Sequence, residues 1–293
     1  MSAAIHPLNV IGLPYRPRQT PPVDSELANR TALAVLRKAN AKLLRALADA
    51  QDAQHIAELL NQRQAEQMAI VAHELRNPLM TLCTTATLLA RLPPEQAPQL
   101  LAIIERQTVR MTRVIDDLLD VSRVNAGKLR LVLGPVEIAE VVQDALDGCR
   151  AAMTGRLQRL QLTMPPALGE MQADGPRLAQ ILGNLLGNAA KYTPCGGTIL
   201  LAVTRHAGDV VFTVADDGIG IAPQALLHVF DPFVQEEHAV NFNRDGLGLG
   251  LAVVRELTHA HGGRVEAHSD GLGCGSRFVV SIPADADQST SRR

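Results

Sequence analysis

The segment VAHELRNPL, residues 71–79, places a histidine, a carboxylate and an amide close together on a predicted helix. Because each helical residue turns the chain by about 100°, His73 points away from its apolar neighbours and toward water. A histidine titrates near neutrality, and a neighbouring carboxylate such as Glu74 can fix its tautomer, so the pair suits nucleophilic chemistry. Asn77 lies one turn further on the same side, and Pro78 predicts a kink. A single surface histidine more often has no chemical role, so the motifs in the rest of the sequence must show whether His73 has one.

Two amides and a lysine near residue 190 predict a site for a metal ion and phosphate. Asn184 and Asn188 are four residues apart, so a helix places both on one face. An amide oxygen is a hard, neutral ligand that suits Mg²⁺ when the ion also binds phosphate oxygens and water. Lys191 adds a positive charge for the phosphate. A capped amphipathic helix with two surface amides explains the same pattern when it is taken alone.

The sequence DDGIG, residues 216–220, follows a strand-like run of apolar residues. A carboxylate at the end of a strand, here Asp216, can accept a hydrogen bond from an exocyclic amine such as N6 of adenine. Gly218 and Gly220 allow the backbone to approach a flat base closely. A hairpin turn explains these five residues equally well.

Three alternating glycines, Gly246, Gly248 and Gly250, lead directly into a helical pattern at Leu249–His261. Glycines before a helix N-terminus offer free backbone amides to a phosphate, and the helix dipole favours the negative charge. No strand immediately precedes these glycines, so they lack the setting of a dinucleotide-binding Rossmann motif.

Two predicted helices position the histidine. The run from Glu26 to Arg91 contains no glycine, and no proline before Pro78, which predicts one very long helix with a coiled-coil-like stripe near its start. The segment Arg91–Pro98 breaks it, and a second helix follows. The apolar seams of the two helices include Leu75, Leu79, Leu82, Leu101, Ile104, Met111, Ile115 and Leu118. Because two arms alone bury little, the sequence predicts a hairpin that forms a homodimeric four-helix bundle.

The second half of the chain has an α/β texture. Helical patterns lie at residues 136–153, 175–191 and 249–261. Strand-like runs lie at Leu157–Thr163, Thr198–Thr204, Val210–Ala215, Arg264–Ala267 and Arg277–Ile282. The predicted fold class is therefore multidomain α and α/β, with a long helical hairpin followed by an α/β sandwich.

Composition argues against several kinds of protein. Aromatic residues make up only 2% of the chain, which disfavours a protein that stacks single-stranded nucleic acid bases. The net charge of -2 gives no basic footprint for nucleic acid or for an anionic membrane. The four cysteines lack CxxC spacing, which favours reduced thiols in a cytoplasmic protein over a zinc or redox site. No apolar run of ~18 residues predicts a membrane span.

The motifs HELRNPL, QILGNLLGNAAKYTP, DDGIG, FDPF and GLGLG occur in an order that resembles the sensor histidine kinases of two-component systems. The first is similar to the H-box of the HisKA dimerisation and phosphotransfer domain. The others are similar to successive motifs of that family's ATP-binding domain, and the resemblance covers about residues 67–284. It implies a kinase that binds ATP with Mg²⁺, phosphorylates His73 and passes the phosphoryl group to an Asp on a separate response regulator.

The resemblance also implies a role for each matching residue. His73 is the phosphoacceptor, Glu74 is the base that orients it, and Asn77 is a candidate to position water when the regulator is dephosphorylated. In the ATP-binding domain, Asn188 is the metal ligand and Asp216 binds the adenine. The other nucleotide-binding positions are Asn184, Lys191, Tyr192, Gly218, Gly220, Phe230, Phe233, Gly246, Gly248 and Gly250.

The sequence predicts five parts. These are a flexible Pro-rich tail (1–24), a coiled-coil-like signalling helix (25–66), the phosphotransfer hairpin (67–131), the catalytic ATP-binding domain (132–284) and a polar tail (285–293). A polar stretch, Val234–Asp245, predicts a mobile lid in which the roles of His238 and Arg244 are left open. The short region before the hairpin indicates either an upstream sensor protein or a chain that is part of something larger.

Other functions fit parts of the pattern. A non-catalytic adaptor would bind nucleotide without phosphorylating His73. A net phosphatase of the regulator would use Asn77 and is compatible with kinase activity. The gyrase and mismatch-repair ATPases resemble only the second half, so the hairpin argues against them. Transfer within one subunit and transfer between two subunits both remain open.

Overall fold

The computed structural model describes residues 23–91, 93, 96–125, 128–166, 168–242 and 246–285. The helices are α1 (Val23–Leu89), α2 (Ala97–Asn125), α3 (Ile138–Gly155), α4 (Gly175–Tyr192), α5 (Pro223–Leu226), α6 (Glu237–Phe242) and α7 (Gly250–Ala260). The strands are β1 (Gly134–Glu137), β2 (Arg159–Thr163), β3 (Glu170–Ala173), β4 (Thr198–His206), β5 (Asp209–Asp216), β6 (Arg264–His268) and β7 (Ser276–Pro283). Residues 1–22 and 286–293 of the predicted tails, and Arg244, lie outside the described residues.

Two compact units divide the chain after Ala65. The described part of the first unit is helical, and residues 29–65 are exposed. The predicted stripe of Leu33, Leu36, Leu43 and Leu47 is more than half exposed at every position. Such a stripe loses little contact with water on a single helix, so a coiled-coil partner for it stays a prediction.

In the second unit, α1 and α2 form the predicted helical hairpin. Pro78 and Thr85 of α1 and Leu100 of α2 are buried. Leu79 and Leu101, which the sequence places on the inner seam, are instead 50% and 53% exposed. Two helices side by side can cover only one stripe of each other, so these leucines are available to a second hairpin.

The rest of the second unit is the predicted α/β sandwich. Its main sheet has the strand order β2-β4-β5-β7-β6, with β2 parallel to β4 and the other neighbours antiparallel. Alternate residues of β4 and β5 are buried, as expected for a sheet with one covered face. The covering layer consists of α3, α4 and α7, whose apolar faces join the same core. The fold class predicted from the sequence is confirmed for the single chain.

Two short strands were not predicted. The helix expected over residues 136–153 begins only at Ile138, because residues 134–137 form β1. This strand pairs antiparallel with β3 in a separate two-stranded sheet, with Gly134 opposite Ala173. Each strand has four residues, which is too short for an alternating pattern to stand out from the neighbouring helix.

The strand predicted to start at Leu157 also begins later, at Arg159. Leu157 adopts a positive φ of 54°, which ends the preceding helix in a left-handed turn rather than opening a strand. The side-chain amide of Gln158 then donates to the carbonyl oxygens of Ala190 and Thr193, at 3.0 and 2.7 Å. These bonds attach the strand to the C-terminal end of α4.

No helix in the described ranges has the length and apolar character that a membrane crossing requires. All four cysteines are free thiols, and Cys149 alone of them is buried. A cytoplasmic location stays a prediction.

Candidate active site

A cavity of about 370 Å³ lies beside α4, α7 and the end of β5, and α2 contributes to its wall. Nine of the predicted nucleotide-binding residues line it: Asn184, Asn188, Lys191, Tyr192, Asp216, Gly220, Gly246, Gly248 and Gly250. Gly218, Phe230 and Phe233 lie outside its lining. The three H-box residues are also outside the lining, on α1.

The helix α4 positions the two asparagines. Asp174 caps its N-terminus by accepting a hydrogen bond from the backbone amide of Arg177 at 3.2 Å. The apolar face of α4 is fully buried in the core, which directs Asn184 and Asn188 to the cavity side. The side-chain amide of Asn184 donates to the carbonyl oxygen of Gly250 at 3.3 Å, so it links α4 to the start of α7.

The chemistry of these residues fits Mg²⁺ bound together with a nucleotide. Asn188 offers a neutral amide oxygen, which is a hard ligand but supplies no charge. Among the described residues, no three His, Cys, Asp or Glu side chains form a group that could hold a metal ion. Asn188 would therefore hold such an ion together with phosphate oxygens of the nucleotide, and Lys191 would place a positive charge beside those phosphates.

Asp216 ends β5 with its carboxylate fixed in place. Oδ1 accepts from the backbone amide of Gly218 at 2.9 Å, and Oδ2 accepts from the hydroxyl of Ser276 at 2.6 Å. Burial raises the pKa of Asp216, while the hydrogen bonds from Ser276 and Gly218 act to lower it. The carboxylate is thus oriented before any ligand arrives, as recognition of an adenine amine requires.

Gly218 supports this site although it does not line the cavity. A Cβ atom at Gly218 would lie 2.5 Å from the carbonyl oxygen of Tyr192, so the loop can pass α4 this closely only without a side chain. The backbone amide of Ile219 donates to that same carbonyl oxygen at 3.2 Å. Gly218 therefore allows the loop after β5 to pack against the C-terminal end of α4.

Lys191 and Tyr192 lie together at the end of α4. The ammonium nitrogen of Lys191 is 4.6 Å from the centre of the Tyr192 ring, a cation–π contact. Burial raises the pKa of the Tyr192 hydroxyl. Lys191 also approaches the glycine-rich loop, since a Cβ atom at Gly246 would lie 3.7 Å from its ammonium nitrogen. This places the positive charge beside the loop predicted to bind phosphate.

The two phenylalanines stand behind the cavity. Phe230 packs edge-on against Phe278, with ring centres 6.3 Å apart, and Phe278 lines the cavity. Phe233 adopts a positive φ of 65°, and its backbone amide donates to the carbonyl oxygen of Gly248 at 3.2 Å. Both residues thus shape the wall and the glycine-rich loop without lining the cavity. His238 is exposed on α6.

The H-box lies on the hairpin as the sequence predicts. His73 and Asn77 are exposed, whereas the side chain of Glu74 is only 13% exposed. An oxygen of Glu74 lies 3.5 Å from the guanidinium of Arg110 on α2. The carboxylate next to the predicted phosphoacceptor is therefore held by the second helix.

Four residues of α2 that sequence reasoning missed also line the cavity: Arg110, Arg113, Val114 and Asp117. Their spacing of three, one and three residues places them on one face of the helix. The periodicity was visible in the sequence, but a polar face reads as solvent-exposed unless another domain is known to cover it.

An ion pair joins α2 to α4 beside this cavity. Arg177 donates to Asp120 at 2.6 Å, and the side-chain amide of Gln180 donates to the same oxygen at 2.9 Å. One turn away, Asp117 lines both the 370 Å³ cavity and a second cavity of about 530 Å³. Burial raises the pKa of Asp117 to about 6, although Arg113 acts to lower it. The hairpin and the α/β domain are thus connected through charged groups.

Comparison with known proteins agrees with this arrangement. The model of the HisKA (His Kinase A, phospho-acceptor) domain matches residues 63–127. The model of the histidine kinase-, DNA gyrase B- and HSP90-like ATPases matches residues 173–286. Together the two models match more than half of the chain. The chain belongs to the sensor histidine kinase family.

One relative is an uncharacterised sensor-like histidine kinase of Rhizobium meliloti, which is 33% identical over 246 residues. The match covers 81% of this chain and 46% of that protein. The full-length structure of ShkA in complex with AMPPNP is 34% identical with a TM-score of 0.56, and the match covers 74% of this chain and 45% of ShkA. The histidine kinase ThkA, in the structure of its complex with the response regulator TrrA, shares the fold with a TM-score of 0.53 at 21% identity. This match covers 76% of this chain and 62% of ThkA. The chain spans about half the length of the first two.

Proposed function

We propose that this histidine kinase family member binds Mg-ATP in the 370 Å³ cavity, phosphorylates His73 and passes the phosphoryl group to an Asp on a response regulator. The observation that carries the proposal is that Asn188, Lys191 and Asp216 share one cavity, whose wall includes the helix that also holds Glu74. The cavity and the H-box thus meet across α2.

The proposed reaction is an in-line phosphoryl transfer. One ring nitrogen of His73 attacks the γ-phosphorus of ATP, an N–P bond forms, and the bond to the oxygen bridging the β- and γ-phosphorus breaks, which releases ADP. The proton on the other ring nitrogen is shared with Glu74, which fixes the tautomer and stabilises the positive charge on the ring. The protein contributes positioning and charge more than covalent chemistry.

Each cavity residue has one task in this reaction. Asp216 accepts from the adenine amine, since both of its oxygens are already oriented by hydrogen bonds. Asn188 would hold Mg²⁺, which neutralises charge on the phosphates when bound. Lys191 contributes a further positive charge beside the glycine-rich loop. Because His73 lies outside the cavity lining, the α/β domain must shift along the hairpin before transfer.

We also propose that the working unit is a homodimer. Leu79, Leu101, Val109 and Ile115 of the hairpin are 45–64% exposed in the single chain, and a second hairpin would cover them. The exposed face of α1 around His73 is then available to the receiver domain of a response regulator. ThkA is a histidine kinase whose structure includes such a regulator, TrrA, which agrees with this proposal at the level of fold.

The adaptor and phosphatase alternatives differ from the kinase in what happens to ATP. An adaptor binds nucleotide, releases no ADP and gains no phosphate. A phosphatase acts on the phosphorylated regulator and depends on Asn77. The exposed amide of Asn77, on the same helix face as His73, is compatible with dephosphorylation as a second activity of the kinase.

The test is to measure ADP release and protein-bound phosphate together, in wild type, His73→Gln and Asn188→Ala. The kinase proposal predicts one phosphate bound per ADP released in wild type in a single turnover. It predicts no bound phosphate in His73→Gln, with ATP binding retained, and little of either product in Asn188→Ala. Binding of ATP by wild type without either product, with added Mg²⁺, would favour the adaptor.

A further inference from the structure

Arg110 lies between the H-box and the nucleotide cavity. Its guanidinium is 3.5 Å from the carboxylate of Glu74, and its side chain also lines the cavity with Asn188 and Lys191. It is 37% exposed, against 13% for Glu74, so the ion pair is partly shielded from water on the carboxylate side. One arginine therefore reaches both the groups that prepare His73 and the groups that surround the nucleotide.

The chemistry of a guanidinium allows both contacts at once. Arginine presents five N–H donors in a planar fork, so one edge can hold a carboxylate while another binds phosphate oxygens. Arg113 lies one turn away and also lines the cavity, but its charge acts on Asp117, where it opposes the rise in pKa that burial causes. The two arginines thus have different acidic partners on one helix face.

We propose that Arg110 is the residue of the hairpin that recognises the terminal phosphate of ATP, while it continues to hold Glu74. This inference rests on the proposed function and adds a phosphate-binding residue from outside the ATP-binding domain. Arg110 orients the γ-phosphate and the Glu74 carboxylate from one point, which favours alignment of His73 with the phosphorus. ADP lacks this phosphate, so only ATP gains the contact.

This assignment predicts a selective loss of affinity. Removal of a charge-assisted hydrogen bond to phosphate should weaken ATP binding roughly tenfold. The affinity for ADP should stay within about twofold, because ADP does not reach Arg110. Arg110→Lys keeps the charge but not the fork, so it should retain most of the ATP affinity.

The experiment compares ATP and ADP binding by calorimetry, with Mg²⁺ present, in full-length protein that carries His73→Gln so that no phosphoryl transfer occurs. The variants are Arg110→Ala, Arg110→Lys and, as a matched control, Arg106→Ala, an exposed arginine one turn earlier on α2. The thermal midpoint of each variant, relative to Arg106→Ala, shows whether the fold is retained.

A ratio of ATP to ADP affinity that falls roughly tenfold in Arg110→Ala and stays unchanged in Arg106→Ala supports the assignment. Equal weakening of both nucleotides, or no change in either, overturns it and leaves Arg110 as a strap between α1 and α2. The readout needs no catalysis, so it is separate from the proposed function: if wild type never gains phosphate on His73 but the ratio falls, the function fails and the phosphate contact stands.

Discussion

Asp120 of α2 and Arg177 of α4 form an ion pair of 2.6 Å in which the aspartate is only 3% exposed. Gln180 donates to the same oxygen at 2.9 Å, and Arg123 lies 3.6 Å from the other oxygen. Removal of a buried carboxylate with this many donors is costly, because the donors would lose the acceptor that they share. The pair therefore holds the ATP-binding domain against the hairpin in this state.

Asp120→Ala should loosen this contact. The loss leaves Arg177 and Gln180 without their acceptor and should cost about 3 kcal/mol of the docking free energy. We expect faster hydrogen exchange along the C-terminal half of α2 and the first turns of α4. Asp116→Ala, an exposed aspartate one turn earlier, is the matched control. Unchanged exchange in Asp120→Ala would mean that apolar packing alone holds the two parts together.

Asp117 should make the same contact sensitive to pH. Its pKa is raised to about 6, chiefly by burial and also by Asp120 and Asp116, while Arg113 and Gln180 act to lower it. A carboxyl group whose pKa is raised in the folded state stabilises that state at low pH, and the contribution is lost as pH rises through about 6. The contribution of Asp117 to the free energy of unfolding should therefore be larger at pH 5 than at pH 7.5.

Asp117→Asn should remove that dependence. At pH 7.5 the variant should melt roughly 3–6 °C higher than wild type, because it avoids a buried negative charge. At pH 5 roughly half of that difference should remain, because the carboxyl of the unfolded chain, whose ordinary pKa is 3.8, is still ionised there. Asp144→Asn, which removes an exposed carboxylate from the wall of the same second cavity, should change neither value. An equal shift at both pH values would contradict a role for the Asp117 charge.

Asp216→Asn should abolish tight nucleotide binding. The amide keeps one acceptor oxygen but loses the charge, and its NH₂ group takes the place of one of the two oxygens that accept from Gly218 and Ser276. We expect at least a tenfold rise in the Kd for ATP and for ADP alike, since both carry adenine. Asp217→Asn, which alters the acceptor of the Thr198 backbone amide, is the neighbouring control and should bind nucleotide nearly as wild type does.

Transfer should occur within one subunit. Glu74, Arg110 and the cavity that Arg110 lines belong to the same chain, so the shortest route from nucleotide to histidine does not cross a dimer interface. Mixed dimers of a His73→Gln chain and an Asp216→Asn chain separate the two possibilities. They should stay unlabelled if transfer is within a subunit. Label on the Asp216→Asn chain would demonstrate transfer between subunits.

The sequence was sufficient for features that depend on local pattern. The long helix, the hairpin and four strands of the main sheet follow from apolar spacing over six or more residues, and the fold class was confirmed. The fifth strand, predicted as the four-residue run Arg264–Ala267, is marked by the two glycines that precede it. The paired strands β1 and β3 escaped because four residues carry too little pattern. The left-handed turn at Leu157 escaped because a leucine gives no local signal for positive φ.

Some residues of the candidate site could also be predicted from local motifs, whereas others could not. Asn188, Lys191 and Asp216 lie on elements whose motifs are contiguous in sequence, so their shared cavity could be anticipated. Arg110 and Asp120 could not be assigned, because their partners Glu74 and Arg177 are 36 and 57 residues away and the contacts depend on how one domain sits on another. Contacts between residues so far apart in the sequence have no characteristic spacing from which they could be predicted.

The most direct test of the central proposal is to locate the phosphate after incubation of the purified protein with γ-labelled Mg-ATP, beside His73→Gln and His55→Gln. Both histidines lie on α1, so the second variant controls for a general effect on the helix. We expect label that is stable in alkali and lost in acid, present in wild type and His55→Gln and missing from His73→Gln. Label that persists in His73→Gln, or that resists acid, would show that the phosphate resides elsewhere.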